Sequence, residues 1–304
     1  MAEITAQMVK TLREQTGVGM MECKKALQEA EGDLKRAGEL LREKGAAKAV
    51  KRAGRATKEG RITAKISDDK RKGVLVEVNT ETDFAAKNER FGEMVENVAA
   101  TCLKAEPGSL EDLLAAKPVG ADAETVQAML TETIAVIGEN MSVGRCALVK
   151  LPEGAPGLVH TYIHPPGKVG VLVELRCENE DAAKNEATDE LAHEICLQIA
   201  FSDPKGIDSS SIPEEVIAAE KEVYRAQAVK EGKPEKIHDK IIEGKLHGFF
   251  KEVCLLEQGY VKEEKKSVSQ LIDEVGKEVG GKITVASFTR FQLGVSEGED
   301  EGEA

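Results

Sequence analysis

The sequence predicts an α+β fold: a three-helix N-terminal unit, two repeated subdomains each with a small antiparallel sheet plus helices, and an inserted antiparallel helical hairpin. Three observations predict it. The first is an internal repeat, which sets architecture before any single element does. Residues 170–186, GVLVELRCENEDAAKNE, align with residues 73–89, GVLVEVNTETDFAAKNE. The same offset holds upstream, where Gly157 falls on Gly60 and Ile163 on Ile66. The second is composition: 41% apolar residues but 3% aromatic and no Trp, so the cores must be aliphatic and small units are favoured over one large sandwich. The third is periodicity, which switches between dense apolar runs typical of strands and three-four stepping typical of helices.

Residues 1–54 read as three helices with a basic linker. Thr5 can cap the first, which carries Met8, Val9 and Leu12 on one face and ends at Gly17. The turn GVGMM places Met20 and Met21 at the start of the second helix, whose inner face continues through Cys23, Ala26 and Leu27. Gly32-Asp33 stops it and caps the third, where Leu34, Ala37, Leu40 and Leu41 sit at helical spacing up to about residue 45. Methionines at such a turn fill core gaps or offer apolar surface to a partner.

Residues 55–141 form the first repeat. Two strands flank the turn at 68–73, and an amphipathic helix carries Phe91, Met94, Val95 and Val98. Pro107-Gly108 breaks it, and helical segments follow at 110–116 and 123–137. Residues 142–294 form the second repeat, with strands at 143–149, 157–163, 169–175 and 283–293 and a helix at 187–200. Residues 212–254 interrupt it as a coiled-coil-like arm: Val216, Ala219, Val223 and Ala226 step along one helix, Ile242, Leu246, Phe249 and Val253 along the next, with Gly232-Lys233-Pro234 at the tip. Residues 295–304 make an acidic tail expected to be disordered.

Phe84 is the residue that the repeat singles out. A ring where a strand hands over to a helix either caps the local core or projects outward. In the second copy Asp83 and Phe84 become Glu180 and Asp181, so packing of the unit does not demand the ring. That comparison favours projection.

Net charge of −13 makes general nucleic-acid binding unfavourable. One stretch departs from it: residues 44–61 hold seven basic residues against the single acidic Glu59. That stretch is an RNA or ribosome contact or a solvated linker, and the absence of interleaved aromatics favours the linker. Cys23, Cys102, Cys146, Cys177, Cys196 and Cys254 show neither a CxxC pair nor metal spacing, which suggests a reducing compartment. The start MAEITAQMVK lacks a basic region followed by an apolar segment, and no run approaches the ~20 apolar residues of a membrane span, so a cytoplasmic location is expected. No Walker loop, GxGxxG or GxSxG occurs, and His160, His164, His193, His238 and His247 lack metal-ligand spacing. The expectation is a non-enzymatic interaction protein without a cofactor or metal.

Several motifs in order carry a resemblance. They are Leu12-Arg13-Glu14, Thr16-Gly17, Gly19-Met20-Met21 and Cys23-Lys24-Lys25-Ala26-Leu27, then Glu81-Thr82-Asp83-Phe84, Ile137-Gly138-Glu139-Asn140, His164 with Gly170–Glu174, and Gly232-Lys233-Pro234. The chain resembles the bacterial elongation factor Ts family along nearly all its length. The resemblance implies a guanine-nucleotide exchange factor for elongation factor Tu. It implies an N-terminal unit similar to ubiquitin-associated domains, docking on the partner's G domain through residues such as Met20 and Met21. It implies that Thr82, Asp83 and Phe84 reach the magnesium and nucleotide site, joined by Ile137 and Gly138, that His164 touches the partner's third domain, and that the arm carries partner or homodimer contacts. Thr80, Ala85 and Pro166 depart from the common family residues.

Overall fold

Side chains that alternate along two near-identical strands dictate the centre of the molecule. The computed structural model describes residues 4–295. The tail from residue 296, including the expected disorder there, lies outside the described residues. Three helices come first: α1 (Ala6–Thr16), α2 (Met20–Glu29) and α3 (Leu34–Arg52). Thr5 caps α1, its Oγ1 accepting from Met8 N–H at 3.3 Å, and Gly17 closes it in the left-handed conformation. Val9, Leu12, Cys23, Ala26, Leu27, Ala37 and Leu41 form their shared core. The third helix runs past the expected end near residue 45, because nothing between 45 and 52 breaks it and two of its cations pair with α2: Lys44 with Glu29 at 2.6 Å, and Lys48 with Glu22.

Strands β1 (Glu59–Ile66) and β2 (Lys72–Thr80) form a hairpin, followed by the short α4 (Asp83–Ala86), α5 (Glu89–Ala105), α6 (Leu110–Ala115) and α7 (Val126–Ile137). Strand β3 (Met141–Lys150), expected in the second repeat, pairs instead with β2, Thr80 opposite Met141 and Lys72 opposite Lys150, and completes the first copy's antiparallel sheet in the order β1-β2-β3. The second copy repeats this with β4 (Gly157–His164), β5 (Val169–Cys177), α8 (Glu180–Ala183) and α9 (Glu186–Ser202). The arm follows as α10 (Glu214–Lys230) and α11 (His238–Val253). Then come a small hairpin, β6 (Gly259–Tyr260) and β7 (Glu263–Ser267), and α12 (Val268–Glu278) before β8 (Ile283–Gln292) closes the sheet β4-β5-β8.

Residues 255–282 therefore hold elements that the apolar stepping did not single out. The signal was present: Ser267 and Gln270 form a capping box ahead of Leu271, Ile272 and Val275. With α12 leading into β8 as α7 leads into β3, the arm is an insertion between α9 and α12.

The arm corrects one expectation. In α11, Ile242 and Leu246 are buried as the stepping implies. In α10, Val216 and Val223 are exposed, and so are Ala219 and Ala226. The inward face is the adjacent stripe: Ala228 is buried, Ile217 and Tyr224 are half-covered, and Lys245 of α11 lies over the Tyr224 ring. Periodicity cannot choose between two stripes one residue apart; the facing helix does.

The two sheets meet face to face. Val74, Val76 and Val78 point to their own helices, where Phe91, Val95, Val98 and Leu130 fill the first core. Val171, Val173 and Leu175 do the same against Leu191, Ile195, Ile199 and Ile272. The intervening Leu75 and Leu172 point the other way, into a shared layer with Ile62, Val159, Leu151 and Phe291. Backbone bonds across the junction are reciprocal: Ile62 N–H donates to Gly167 O and Val159 N–H to Lys70 O, both at 2.8 Å. Each bond joins a first strand to the other copy's hairpin turn, so the repeats are related by an approximate two-fold axis. Buried Glu77 lies at this junction and is paired with Arg145 at 3.0 Å; the Arg145 guanidinium sits 4.2 Å above the Phe291 ring.

Gly73 and Gly170 mark the closest approach. A Cβ at Gly73 would lie 2.8 Å from Val159 and 2.9 Å from Leu172; at Gly170 it would lie 2.6 Å from Ile62 and 2.8 Å from Leu75. Gly73→Ala and Gly170→Ala are each expected to destabilise by about 1–3 kcal/mol through overpacking, measured as a fall in the urea midpoint.

Candidate functional site: two tethered turns beneath Phe84

The β2–α4 turn is built by capping. Thr82 is extended and its Oγ1 accepts from Ala85 N–H at 3.2 Å, so the chain enters helix at Asp83. Ala85 is buried beneath that turn. Phe84 is then directed outward, and its side chain is 81% exposed. Phe201 is nearly as exposed, at 77%, so what sets Phe84 apart is the turn that presents it.

A second turn, α7–β3, holds the first. Gly138 ends α7 at φ +90°, a conformation that costs glycine little, and its N–H donates to Ile134 O at 2.9 Å. The next two residues reach back. Glu139 accepts from Thr82 Oγ1 at 2.8 Å, from Thr82 N–H at 3.0 Å and from Thr80 Oγ1 at 3.3 Å. Asn140 N–H donates to Glu81 Oε1 at 2.6 Å. The Asn140 side-chain amide donates to Arg55 O at 2.8 Å, and Arg55 pairs with Glu81 at 3.2 Å. Thr82, Asp83 and Phe84 are thus joined to Ile137 and Gly138 through Glu81, Glu139 and Asn140.

Charge reinforces the arrangement. The Asn140 N–H, and after it Arg55, hold the Glu81 carboxyl below its usual 4.5. Asp83 pairs with Lys87 at 2.7 Å, and that bond holds its carboxyl below the usual 3.8, with a smaller contribution from Lys168. Lys168 belongs to the second copy's hairpin turn, which begins at His164 and is anchored by Lys168–Glu59 at 3.0 Å. His164 is exposed and shares a 2.9 Å hydrogen bond with the Tyr162 hydroxyl. Within that turn the ion pair to the first copy is Lys168 to Glu59. Met20 and Met21 are exposed on α2, in the N-terminal unit and outside this cluster.

The repeat separates scaffold from addition. In the second copy Glu178 accepts from Lys282 N–H at 2.9 Å, as Glu81 does from Asn140, and Asn179 caps α8 as Thr82 caps α4. Glu81 and the cap at Thr82 are what this turn requires in both copies. Phe84, Glu139 and the Asn140 side chain are particular to the first, whereas the Asp83–Lys87 pair has its counterpart in Glu180–Lys184 at 3.1 Å. Sequence reasoning missed Glu139 and Asn140 as organisers of the site, although both sit in a motif that it singled out; Glu81 was legible as the partner of Glu178.

Residues 81–295 match the family described as Elongation factor TS, a match that starts on the Glu81 turn. The chain is 47% identical to Elongation factor Ts of Clostridium perfringens strain SM101 over 96% of its own length and 93% of the relative's. It is 46% identical to Elongation factor Ts of Symbiobacterium thermophilum, covering 97% and 93%. For that of Desulfovibrio desulfuricans the identity is 45%, covering 96% and 99%. The chain belongs to the elongation factor Ts family. For this elongation factor Ts family member, no group of three His, Cys, Asp or Glu converges as a metal site among the described residues, and no described helix is long and apolar enough to cross a membrane.

A carboxyl depressed in the folded state stabilises fully above its ordinary value of 4.5 and loses that contribution as pH falls through the lower folded value. In an NMR titration the Glu81 carboxyl and the Asn140 amide are expected to shift together with a midpoint below 4.5. Glu81→Gln is expected to abolish that transition and to cost about 1 kcal/mol in chemical unfolding.

Proposed function

We propose that the protein is a guanine-nucleotide exchange factor for elongation factor Tu, acting without covalent chemistry, and that Phe84 is the wedge. The observation that carries the reading is the 81% exposure of a ring presented on a tethered turn that the second copy builds without one. Family membership supports the partner. Asp83, Ile137 and Gly138 would face the partner's G domain beside Phe84, His164 another of its domains, and Met20 and Met21 would dock the N-terminal unit.

Magnitudes assign the division of labour. A nucleotide held at nanomolar affinity is bound by about 12 kcal/mol. Burying one phenyl side chain returns about 1.5–3 kcal/mol. Phe84 therefore steers where binding energy is spent, and the other surfaces supply most of it. Linkage makes the effect reciprocal: whatever the factor does to nucleotide affinity, nucleotide does to factor affinity. The rigid tether beneath the ring fits this task, since a wedge on a loose loop would yield before its target did.

RNA binding through residues 44–61 loses support from the pairing pattern. Lys44, Lys48 and Arg55 are committed to Glu29, Glu22 and Glu81. Homodimerisation through the arm rests on its exposed α10 stripe, and mass measurement before and after removing residues 215–251 tests it.

Phe84→Ala is expected to slow release of fluorescent GDP from elongation factor Tu in stopped flow by the equivalent of about 2–4 kcal/mol, a hot-spot loss. Asp181→Ala, at the matching position of the second copy, is expected to leave the rate unchanged. An unaltered rate for the Phe84 variant sinks the wedge.

A further inference from the structure

Asn140 is an addition to a duplicated scaffold, and the addition points at a different part of the chain. Both copies fasten the turn before the first helix to the start of the closing strand through one carboxylate: Glu81 to Asn140 N–H, and Glu178 to Lys282 N–H. Asn140 and Lys282 are equivalent, because the residues after them, Met141 and Ile283, pair with the equivalent Thr80 and Cys177. Their side chains diverge. Lys282 is exposed, whereas Asn140 is buried and its amide donates to Arg55 O at 2.8 Å and Ala53 O at 3.5 Å. Ala53 and Arg55 directly follow α3, the last helix of the N-terminal unit.

A second observation falls on the same junction. The Arg52 guanidinium, at the end of α3, lies 3.9 Å from where a Cβ on Gly138 would stand, and its Nη1 is buried without a hydrogen-bond partner. Its charge also acts on Glu81. A guanidinium nitrogen buried without a partner is costly unless its surroundings stay in place.

We propose that Asn140, with Glu81 and Arg52, is a positioning latch that ties the end of the N-terminal helical unit to the Phe84 turn. The inference rests on the exchange reading above. Docking of the N-terminal unit then fixes the angle at which Phe84 enters the partner. The N-terminal unit stays docked through α3 on α7, where Gly45 meets Ala135 and Ala49 packs on the first core; opening the latch loosens the segment after α3 and the turn beneath Phe84, so binding persists while the wedge loses its purchase. The latch is confined to the copy that carries the ring, which is the copy that needs it.

The experiment compares Asn140→Ala, Asn140→Asp and Lys282→Ala in the full chain, with Phe84→Ala alongside. The readout is fluorescent-GDP release from elongation factor Tu over a concentration series. Both Asn140 variants are expected to lower the saturating rate about fivefold, the worth of one hydrogen bond, and to hold the half-saturating concentration within about twofold. Lys282→Ala should match the parent. Asn140→Asp keeps the shape and loses the donor, so a parental rate for it overturns the latch. So does a parental saturating rate for Asn140→Ala while Phe84→Ala is slow, or a loss that appears only in half-saturation. A parental rate for Phe84→Ala instead overturns the wedge reading, and amide exchange in the free protein then judges the latch by itself. Amide exchange in Asn140→Ala is expected to rise over residues 50–57 and 81–86 and to stay unchanged over 157–177. A uniform rise along the chain marks general destabilisation and overturns the proposal.

Discussion

Contact between two equivalent strands through two equivalent glycines is the constraint on which the molecule depends. Gly73 and Gly170 leave no room for a Cβ, so β2 and β5 approach closely enough for Leu75 and Leu172 to share one apolar layer. Reciprocal backbone bonds from Ile62 and Val159 fix the register of that contact. A strand buried on both faces explains why GVLVE is apolar almost without interruption. The exception is the glutamate that ends each copy of the motif, buried as Glu77 and Glu174 and neutralised by Arg145 and Arg176.

Because the copies share a scaffold, their differences are informative. Both place a capped helical turn at the end of the central strand and both tie it to the closing strand. Only the first mounts an aromatic ring there and adds Glu139 and the Asn140 amide beneath it. The added bonds are worth little singly, about 0.5–1.5 kcal/mol each. Their value is geometric: they remove the freedom of a surface turn whose side chain gains nothing from its own protein.

The basic stretch shows how composition leaves partners open. Seven cations in residues 44–61 allow a polyanion site or a solvated linker, and the lack of interleaved aromatics favours the linker. Folding spends several on internal partners: two stitch α3 to α2, Arg55 joins the Glu81 turn, and Arg52 lies near Gly138. The stretch is better described as the seam between the N-terminal unit and the first sheet.

The sequence by itself determined what is local or duplicated. Caps at Thr5 and Asp33, the hairpins, and the exclusion of Phe84 from the packing requirement all follow from neighbours in the chain or from the repeat. Tertiary structure alone decided what depends on distant partners. Which stripe of α10 faces inward is set by Ile242 and Leu246 on α11, since two adjacent stripes carry the same period. That Glu139 and Asn140 organise the site is set by the meeting of two turns 57–59 residues apart. Periodicity reports how a side chain is oriented on its own element; it carries no information about which surface arrives opposite.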